Sequence, residues 1–465
     1  MTRNAPPMPR QVDSDRRKLF GICGAEEWKG PGGNEYRGFL VSGDSAQDKE
    51  EGRTMKIDRR KFLEQGYLVL REVIAREQLE QLRRDFEVLV GKQRRIWAQE
   101  RGPDDPPGGA WETQPQPRLG SYHQLIDEGT ASTVEVWLQE STLGVSRQLF
   151  SAPETVGMAG MMLMCSPVRD HGPARWHRDV HPIDMAPLSG LQKDLVENGP
   201  KYLQWNIPLY DDDVLWVVPG SHRRINTETE DRELLADPRQ PLTGGIPVEL
   251  KAGDGVVYVN YILHWGSNYS AKIRRTIHGG HTIFPYYPDM SFSEHLPAEA
   301  RALFRQWDRR SAALQDWTEA ALRAVLKGDV AAYDKALEAL QPGVGEAGKM
   351  VLSIYLCKAA LHMQVVKHHG AQTNGAADPL AGITQDYRSR ALRPHSISIN
   401  WGPQFAERFT VEEAAALHSR FATLDRKLQA EEEHFAPSFQ SSPMRYFFNE
   451  MPANFGLKEF IASWN

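Results

Sequence analysis

Cysteine is scarce in this chain of 465 residues, which contains only Cys23, Cys165 and Cys357. No two of them have the Cys-x-x-Cys spacing, which argues against a disulfide framework and against a structural zinc site. Long apolar runs are also lacking, and we expect no segment long enough to cross a membrane. The first residues lack the apolar core of a signal peptide. The sequence therefore predicts a cytoplasmic protein with no membrane partner.

An excess of positive charge is lacking as well. The chain has 55 lysine and arginine residues against 61 aspartate and glutamate residues, which gives a formal net charge of −6. A nucleic-acid-binding protein needs a basic surface, so we predict no nucleic-acid partner. Hydrophobic residues make up 40% of the chain and charged residues 25%, which is typical of a globular protein with a sizeable core.

Three regions of the chain differ in composition and periodicity. Residues 1–54 are rich in glycine, proline and charged residues, which predicts a tail that is partly loop or disordered. Residues 55–293 begin with a helical stretch and continue as short apolar runs separated by proline and glycine, the pattern of a β-sandwich or barrel. Residues 294–465 have helical periodicity, and Thr410 with Glu413 predicts a capping box there.

The segment WHRD, residues 176–179, is the centre of the functional prediction. Residues two apart on an extended segment point the same way, so His177 and Asp179 bring an imidazole and a carboxylate to one side. His264, at the end of a later strand-like run, is the candidate for a third ligand. Two histidines and one carboxylate are the ligand set of non-haem Fe(II) oxygenases. Zinc is the alternative, although it favours tetrahedral sites.

Arg274 follows His264 by ten residues and is itself followed by Arg275 and Thr276. A guanidinium group binds a carboxylate through two parallel hydrogen bonds, so Arg274 is a candidate anchor for a 2-oxo diacid cosubstrate. Adjacent side chains on a strand face opposite sides, and only one of the two arginines can therefore reach the pocket.

Five motifs, taken in order, resemble the phytanoyl-CoA dioxygenase family. They are FLEQGYLVL, WHRD, NIPLYDDDVLWVVPGSH, GDGVVY and HWGSNYSAKIRR, and the resemblance spans residues 56–285. It implies a mainly β fold with a double-stranded β-helix (jelly-roll) core and supporting helices, to which the C-terminal helical region is an addition. It also implies an oxygenase that uses Fe(II), 2-oxoglutarate and O2.

The family's motifs transfer to individual residues of this sequence. Its metal ligands fall on His177, Asp179 and His264, and its distal His, Asn-x-Ser/Thr and Arg pattern favours Arg274 over Arg275 as the 2-oxoglutarate anchor. Asp179 favours hydroxylation, or a desaturation or ring-forming variant, over halogenation, because related halogenases have glycine or alanine at that position. The residues expected to contact 2-oxoglutarate are Arg274, Trp205, Thr276 and Ser270.

The sequence therefore predicts an Fe(II)- and 2-oxoglutarate-dependent dioxygenase that hydroxylates an unactivated carbon and releases succinate and CO2. Its partner would be a small molecule: a secondary metabolite, a small acid or an acyl-CoA ester. Residues 104–125 and 183–200 are expected to line the entrance. Two alternatives stay open, a non-catalytic jelly-roll module that binds a ligand or metal and a metal hydrolase with the same triad. A homo-oligomer is an alternative to a monomer.

Overall fold

The computed structural model describes residues 55–180, 186–287, 289–368, 403–430, 435–436, 444–445, 451 and 455–464. The predicted tail over residues 1–54, with Cys23, lies outside the described residues, as do residues 183–185 of the predicted entrance. The residues from 52 onward form one compact unit, and all the elements below belong to it.

Strands in the described residues form antiparallel sheets. Their bounds are β1 (Tyr67–Leu70), β2 (Arg118–Leu119), β3 (Gly157–Cys165), β4 (Tyr202–Pro208), β5 (Trp216–Val217), β6 (Ile246–Pro247), β7 (Gly255–Tyr258), β8 (His264–Trp265) and β9 (Arg275–Thr282). One sheet has the order β1-β7-β4-β9-β3-β2 and a second has the order β6-β5-β8. A further pair joins Phe435–Ala436 to Met444–Arg445. The predicted mixture of β-sheet and helix is therefore present, while the jelly-roll topology stays a prediction.

Helices flank the sheets and continue beyond them. Their bounds are α1 (Arg59–Gln65), α2 (Arg76–Gln99), α3 (Ala110–Thr113), α4 (Ser132–Glu135), α5 (Val145–Leu149), α6 (Leu188–Asn198), α7 (Glu228–Ala236), α8 (Ala298–Lys327), α9 (Val330–Leu340) and α10 (Glu346–His368). Three more helices cover Pro403–Ala406, Val411–Ala430 and Leu457–Ala462. The predicted capping box is confirmed, because the Thr410 hydroxyl accepts a hydrogen bond from the Glu413 N–H at 3.1 Å and Glu413 accepts one from the Thr410 N–H at 2.9 Å.

The start of the sheet follows directly from the sequence. Asp58 caps α1 by accepting a hydrogen bond from the Lys61 N–H at 2.9 Å, and Gly66 ends the helix in the left-handed conformation with φ 85°. A residue without a Cβ adopts that conformation at little cost. The turn therefore leads the chain from α1 straight into β1, which pairs with β7.

The helical C-terminal region shares its hydrophobic core with the larger sheet. Trp307 of α8 lies so close to β3 that a Cβ added at Gly157 would come within 3.0 Å of its ring. The helix Val411–Ala430 has a buried apolar stripe that consists of Leu417, Phe421, Leu424 and Leu428. The added helices are therefore packed on the β-core as one body.

Helix α10 corrects one expectation from the sequence. It is long and apolar enough to cross a membrane, with a mean hydropathy of 1.2 over its most apolar window. However, 89% of that window is buried inside the protein, and the helix contacts α6 and the helix Val411–Ala430. Burial of this kind is typical of the core helix of a large domain, which is hydrophobic on all sides.

Candidate metal centre and cosubstrate pocket

The structure brings the three predicted metal ligands together. His177 and His264 face each other in an antiparallel bridge, in which each backbone N–H donates to the other residue's carbonyl at 2.9 Å. His177 Nε2 lies 3.4 Å from Asp179 Oδ1, and His264 Nε2 lies 3.5 Å from Asp179 Oδ2. All three ligand atoms lie within 4.8 Å of one another, which is close enough for a single metal ion to contact each of them.

Hydrogen bonds to the backbone determine which nitrogen each histidine offers. His177 Nδ1 lies 2.9 Å from the Arg175 carbonyl, and His264 Nδ1 lies 2.8 Å from the Ile262 carbonyl. A carbonyl oxygen only accepts, so both Nδ1 atoms carry the proton and donate it. The lone pair is therefore on Nε2 in both rings, facing Asp179, as metal-ligating histidines require.

The charges of the site also suit a cation. Burial and, after it, the neighbouring His264 lower the pKa of His177 to about 4 although Asp179 raises it, so His177 is neutral near pH 7. Burial on its own would raise the pKa of Asp179, but His264 and His177 outweigh it and hold the pKa well below the usual range. A neutral imidazole and an ionised carboxylate are the forms that bind metals. The Asp179 side chain retains 31% exposure and is open to the pocket.

Arg274 lies in the same pocket and is held there by Asp212. Arg274 Nε donates to Asp212 Oδ2 at 2.8 Å, and the Thr276 hydroxyl donates to the same oxygen at 2.6 Å. Among the described residues, the two terminal nitrogens of Arg274 have no hydrogen-bond partner. One edge of the guanidinium is thus fixed by the protein while the terminal nitrogens remain able to bind a carboxylate. Thr276 does not line the pocket and instead orients Asp212.

Trp205, which was expected to line the pocket, lies elsewhere. It is fully buried on the opposite face of β4, where its Nε1 donates to the Ser146 hydroxyl at 3.0 Å. Successive side chains of a strand alternate between faces, so the pocket receives Gln204 and Asn206 instead. The expectation from the family motif was therefore wrong in phase by one residue.

Ser270 also lies outside the pocket. It is exposed, and both its backbone N–H and its hydroxyl donate to Asp170 Oδ1. Asn268, two residues earlier in the same loop, does line the pocket. The predicted role of Ser270 in binding the cosubstrate is therefore replaced by a role in closing this surface loop.

The pocket has a cavity volume of about 70 Å³. Gln116 and Arg118 line the pocket and fall within residues 104–125, which were expected to line the entrance, although neither was singled out. Four further polar lining residues were not assigned to the pocket from the sequence: Gln204, Asn206, Tyr258 and His278. Alternation along β4 and β7 could have indicated Gln204 and Tyr258.

Arg118 adds a second guanidinium group to the pocket. It donates to Gln116 Oε1 through Nε, at 2.7 Å, and through Nη2. The pKa of Arg118 is lowered, mainly by burial and to a smaller extent by Arg274, while Asp179 opposes the shift. Arg118 nevertheless stays protonated near pH 7, because the ordinary pKa of arginine is so high. His278 is neutral near pH 7, because burial and then Arg118 lower its pKa to about 3. The pocket lining therefore carries two arginines and one carboxylate, and the charge of Arg274 is paired with Asp212 next to it.

Arg178, between two of the candidate ligands, supports the site from behind. Its side chain is buried, and Nη1 donates to the carbonyls of Ser221 and Tyr261, both at 2.8 Å. Nη2 donates to Asn226 Oδ1 at 2.8 Å. Burial lowers the pKa of Arg178 to about 9. The arginine thus ties the WHRD segment to the PGSH turn and to the loop that leads into His264.

Comparison with known proteins gives one family-model match and several solved structures that are similar to part of the chain. The phytanoyl-CoA dioxygenase family model matches residues 62–276, a span that contains His177, Asp179, His264 and Arg274. No curated protein matches the chain.

Among solved structures, AviO1 from Streptomyces viridochromogenes Tue57 is 21% identical and covers 50% of this chain and 95% of its own, with a TM-score of 0.34. HygX from Streptomyces hygroscopicus, with nickel and 2-oxoglutarate bound, is 14% identical and covers 49% of this chain and 87% of its own, with a TM-score of 0.34. SnoK, a non-haem alpha-ketoglutarate-dependent carbocyclase from nogalamycin biosynthesis, is 17% identical and covers 52% of this chain and 88% of its own, with a TM-score of 0.34.

Proposed function

We propose that this chain, which matches the phytanoyl-CoA dioxygenase family over residues 62–276, is an Fe(II)- and 2-oxoglutarate-dependent oxygenase that hydroxylates an unactivated carbon of a small organic substrate. Succinate and CO2 are then the coproducts. The observation that carries the proposal is that the three candidate ligands and Arg274 line one pocket. A protein that only binds metal needs no such arginine.

In this proposal His177, Asp179 and His264 hold the iron. The bound iron supplies the activation of O2 that is coupled to oxidative decarboxylation of 2-oxoglutarate. With three protein ligands, the ion would still be able to bind the cosubstrate and O2. Asp179 would supply a carboxylate ligand where related halogenases have none, which favours hydroxylation over halogenation.

The other pocket residues bind and orient the cosubstrate. Arg274 offers its two terminal nitrogens to the distal carboxylate of 2-oxoglutarate, while Asp212 prevents the guanidinium from turning away. Arg118 adds positive charge to the same pocket, which suits a dianion. Met164 and Leu215 supply apolar wall and limit the entry of water.

The proposal extends to the domains. Residues 55–293 would be the jelly-roll core with its leading helix, residues 1–54 a tail, and residues 294–465 an added helical region. A secondary metabolite, a small acid or an acyl-CoA ester is the proposed substrate, in a cytoplasmic enzyme.

Anaerobic titration with Fe(II) and 2-oxoglutarate tests this function. We expect the visible charge-transfer absorption of a 2-oxo acid chelated to Fe(II), and succinate release once O2 and a substrate are added. Asp179→Ala should lose the absorption, whereas Asp170→Ala, a carboxylate that bonds the Ser270 loop outside the pocket, should keep it. A protein that binds the metal but shows neither the absorption nor succinate release would be a non-catalytic module and would contradict the proposal.

A further inference from the structure

Gln204 is a buried amide in the middle of the larger sheet. It lies on β4, with Tyr258 of β7 directly opposite on one side and Gly280 of β9 on the other. Its exposure is 5%. Glutamine has no special preference for strands, and burying an amide is costly unless its hydrogen bonds are made. The position is therefore explained by what the amide contacts.

The amide nitrogen of Gln204 reaches one of the candidate metal ligands. It lies 3.0 Å from Asp179 Oδ2, 2.9 Å from the Tyr258 hydroxyl and 3.4 Å from His278 Nε2. His278 is held in turn by Asn206. Its Nδ1 lies 2.6 Å from Asn206 Oδ1, and because an amide oxygen only accepts, Nδ1 is the donor. Gln204 is thus the link between the carboxylate and two neighbouring strands.

The chemistry of Asp179 determines which way the Gln204 amide faces. An ionised carboxylate only accepts hydrogen bonds, so the –NH2 group of the amide must point toward it and the carbonyl oxygen away. The donated hydrogen bond engages Oδ2 and withdraws electron density from it. Asp179 Oδ1, which lies 3.4 Å from His177 Nε2, receives no such bond from Gln204.

We propose that Gln204 is a positioning residue that makes Asp179 a one-oxygen metal ligand, a role that rests on the metal site of the proposed function. By engaging Oδ2, Gln204 fixes the rotation of the carboxylate and leaves Oδ1 to bind the ion. A carboxylate free to bind through both oxygens would occupy one of the positions that the cosubstrate and O2 need. Partners of this kind orient metal ligands, and their loss typically weakens metal binding about 10- to 100-fold.

The test uses two substitutions of Gln204. Gln204→Met removes the donor at a similar side-chain volume, and Gln204→Asn keeps an amide but shortens the side chain by one methylene so that it no longer reaches Asp179. Gln341→Met is the matched control, because Gln341 is also buried but lies outside the pocket. Thermal unfolding first identifies which variants fold, and either Gln204 variant that folds decides the question.

The readouts are metal affinity and the environment of the ion. Co(II) is titrated into each metal-free protein by calorimetry, and the visible absorption of the Co(II) form reports its coordination. We expect each Gln204 variant to bind Co(II) about 10- to 100-fold more weakly than the unmodified protein, with an altered absorption spectrum. The Gln341→Met protein should match the unmodified protein in both measurements.

Two further outcomes distinguish a failure of the proposed role of Gln204 from a failure of the proposed function. A folded Gln204 variant that binds Co(II) within about twofold of the unmodified protein, with the same spectrum, overturns the positioning role and leaves the metal site intact. If Asp179→Ala also binds Co(II) unchanged, the metal site itself is wrong, and the proposed function fails with it.

Discussion

Arg274 and Arg275 are adjacent in the chain, yet their guanidinium groups lie on opposite faces of the sheet. Arg274 enters the pocket and donates to Asp212 Oδ2 at 2.8 Å. Arg275 points away, donates to Glu87 Oε1 at 2.6 Å and lies over the ring of Trp111 at 5.7 Å. The two residues therefore provide a matched pair for testing the cosubstrate anchor.

We expect Arg274→Lys to raise the 2-oxoglutarate concentration needed for half-maximal turnover by tenfold or more. Lysine offers a point charge where the guanidinium offers two parallel donors, and a lost hydrogen bond to a charged group costs about 1.5–3 kcal/mol. Succinate release measured against 2-oxoglutarate concentration gives the answer. Arg275→Lys is the control, and a larger effect at Arg275 would show that the cosubstrate binds on the other face.

We expect Asp179→Ala to abolish hydroxylation. The variant removes one of three protein ligands and the only carboxylate of the cluster, so the site loses the negative charge that stabilises a divalent cation. Iron content and product formation are measured together on the purified variant. Turnover and iron content equal to those of the unmodified protein would mean that the triad is assigned wrongly.

A chain truncated at residue 293 should aggregate or bind iron weakly. Phe304 of α8 packs edge-on against Tyr287 at 5.6 Å and against Phe292 at 5.1 Å, and Arg310 donates to the Ile283 carbonyl at 3.2 Å. Truncation exposes these apolar partners, and large exposed apolar patches cause association. Oligomeric state and iron content are the measurements. A soluble truncated protein with intact iron binding and normal hydroxylation would show that the helical region is an independent appendage.

Acid should destabilise the fold through His281. Its Nε2 donates to the Trp137 carbonyl at 3.1 Å and its Nδ1 lies 2.9 Å from the Ser146 hydroxyl, so the ring is buried as the neutral form. The pKa of His281 is lowered from 6.5 to about 4, mainly by burial. The hydrogen bond to the Trp137 carbonyl raises the pKa, and the charge of Arg147 lowers it.

Between pH 6.5 and about 4 the unfolded chain takes up a proton at His281 that the folded protein does not. The free energy of unfolding should therefore fall as the pH falls through this window, by up to about 1.4 kcal/mol per pH unit for this histidine. Denaturant unfolding at pH 7, 6 and 5 measures the slope. His281→Asn should have a shallower slope, because it retains the other buried histidines and loses only this one. An unchanged slope would contradict the assignment.

The sequence indicated which residues meet at the pocket but not all of those that line it. His177, Asp179 and His264 were identified because strand alternation and motif order are local information, and alternation also separated Arg274 from Arg275. Trp205 was named only because it matches a position of the family motif, and its side chain lies on the face of β4 opposite the pocket.

Other pocket residues depend on long-range contacts. Asp212 reaches Arg274 from a separate loop, and Arg118 comes from a strand of only two residues. Gln204 is recognisable as important only when Asp179 is seen next to it. Such contacts bring together segments far apart in the chain, and neither composition nor periodicity encodes them.

The reciprocal backbone hydrogen bonds between His177 and His264 have a practical consequence for ion exchange. The peptide groups hold the two imidazoles next to each other, with ring centres 4.1 Å apart and ring planes tilted by 54°, so their spacing is a property of the folded chain and not of the bound ion. Iron removed by a chelator should therefore be replaceable by manganese, cobalt or nickel without refolding. A redox-inert substitute would let 2-oxoglutarate and a candidate substrate bind together in air without being consumed, and the stalled complex would be suitable for crystallisation.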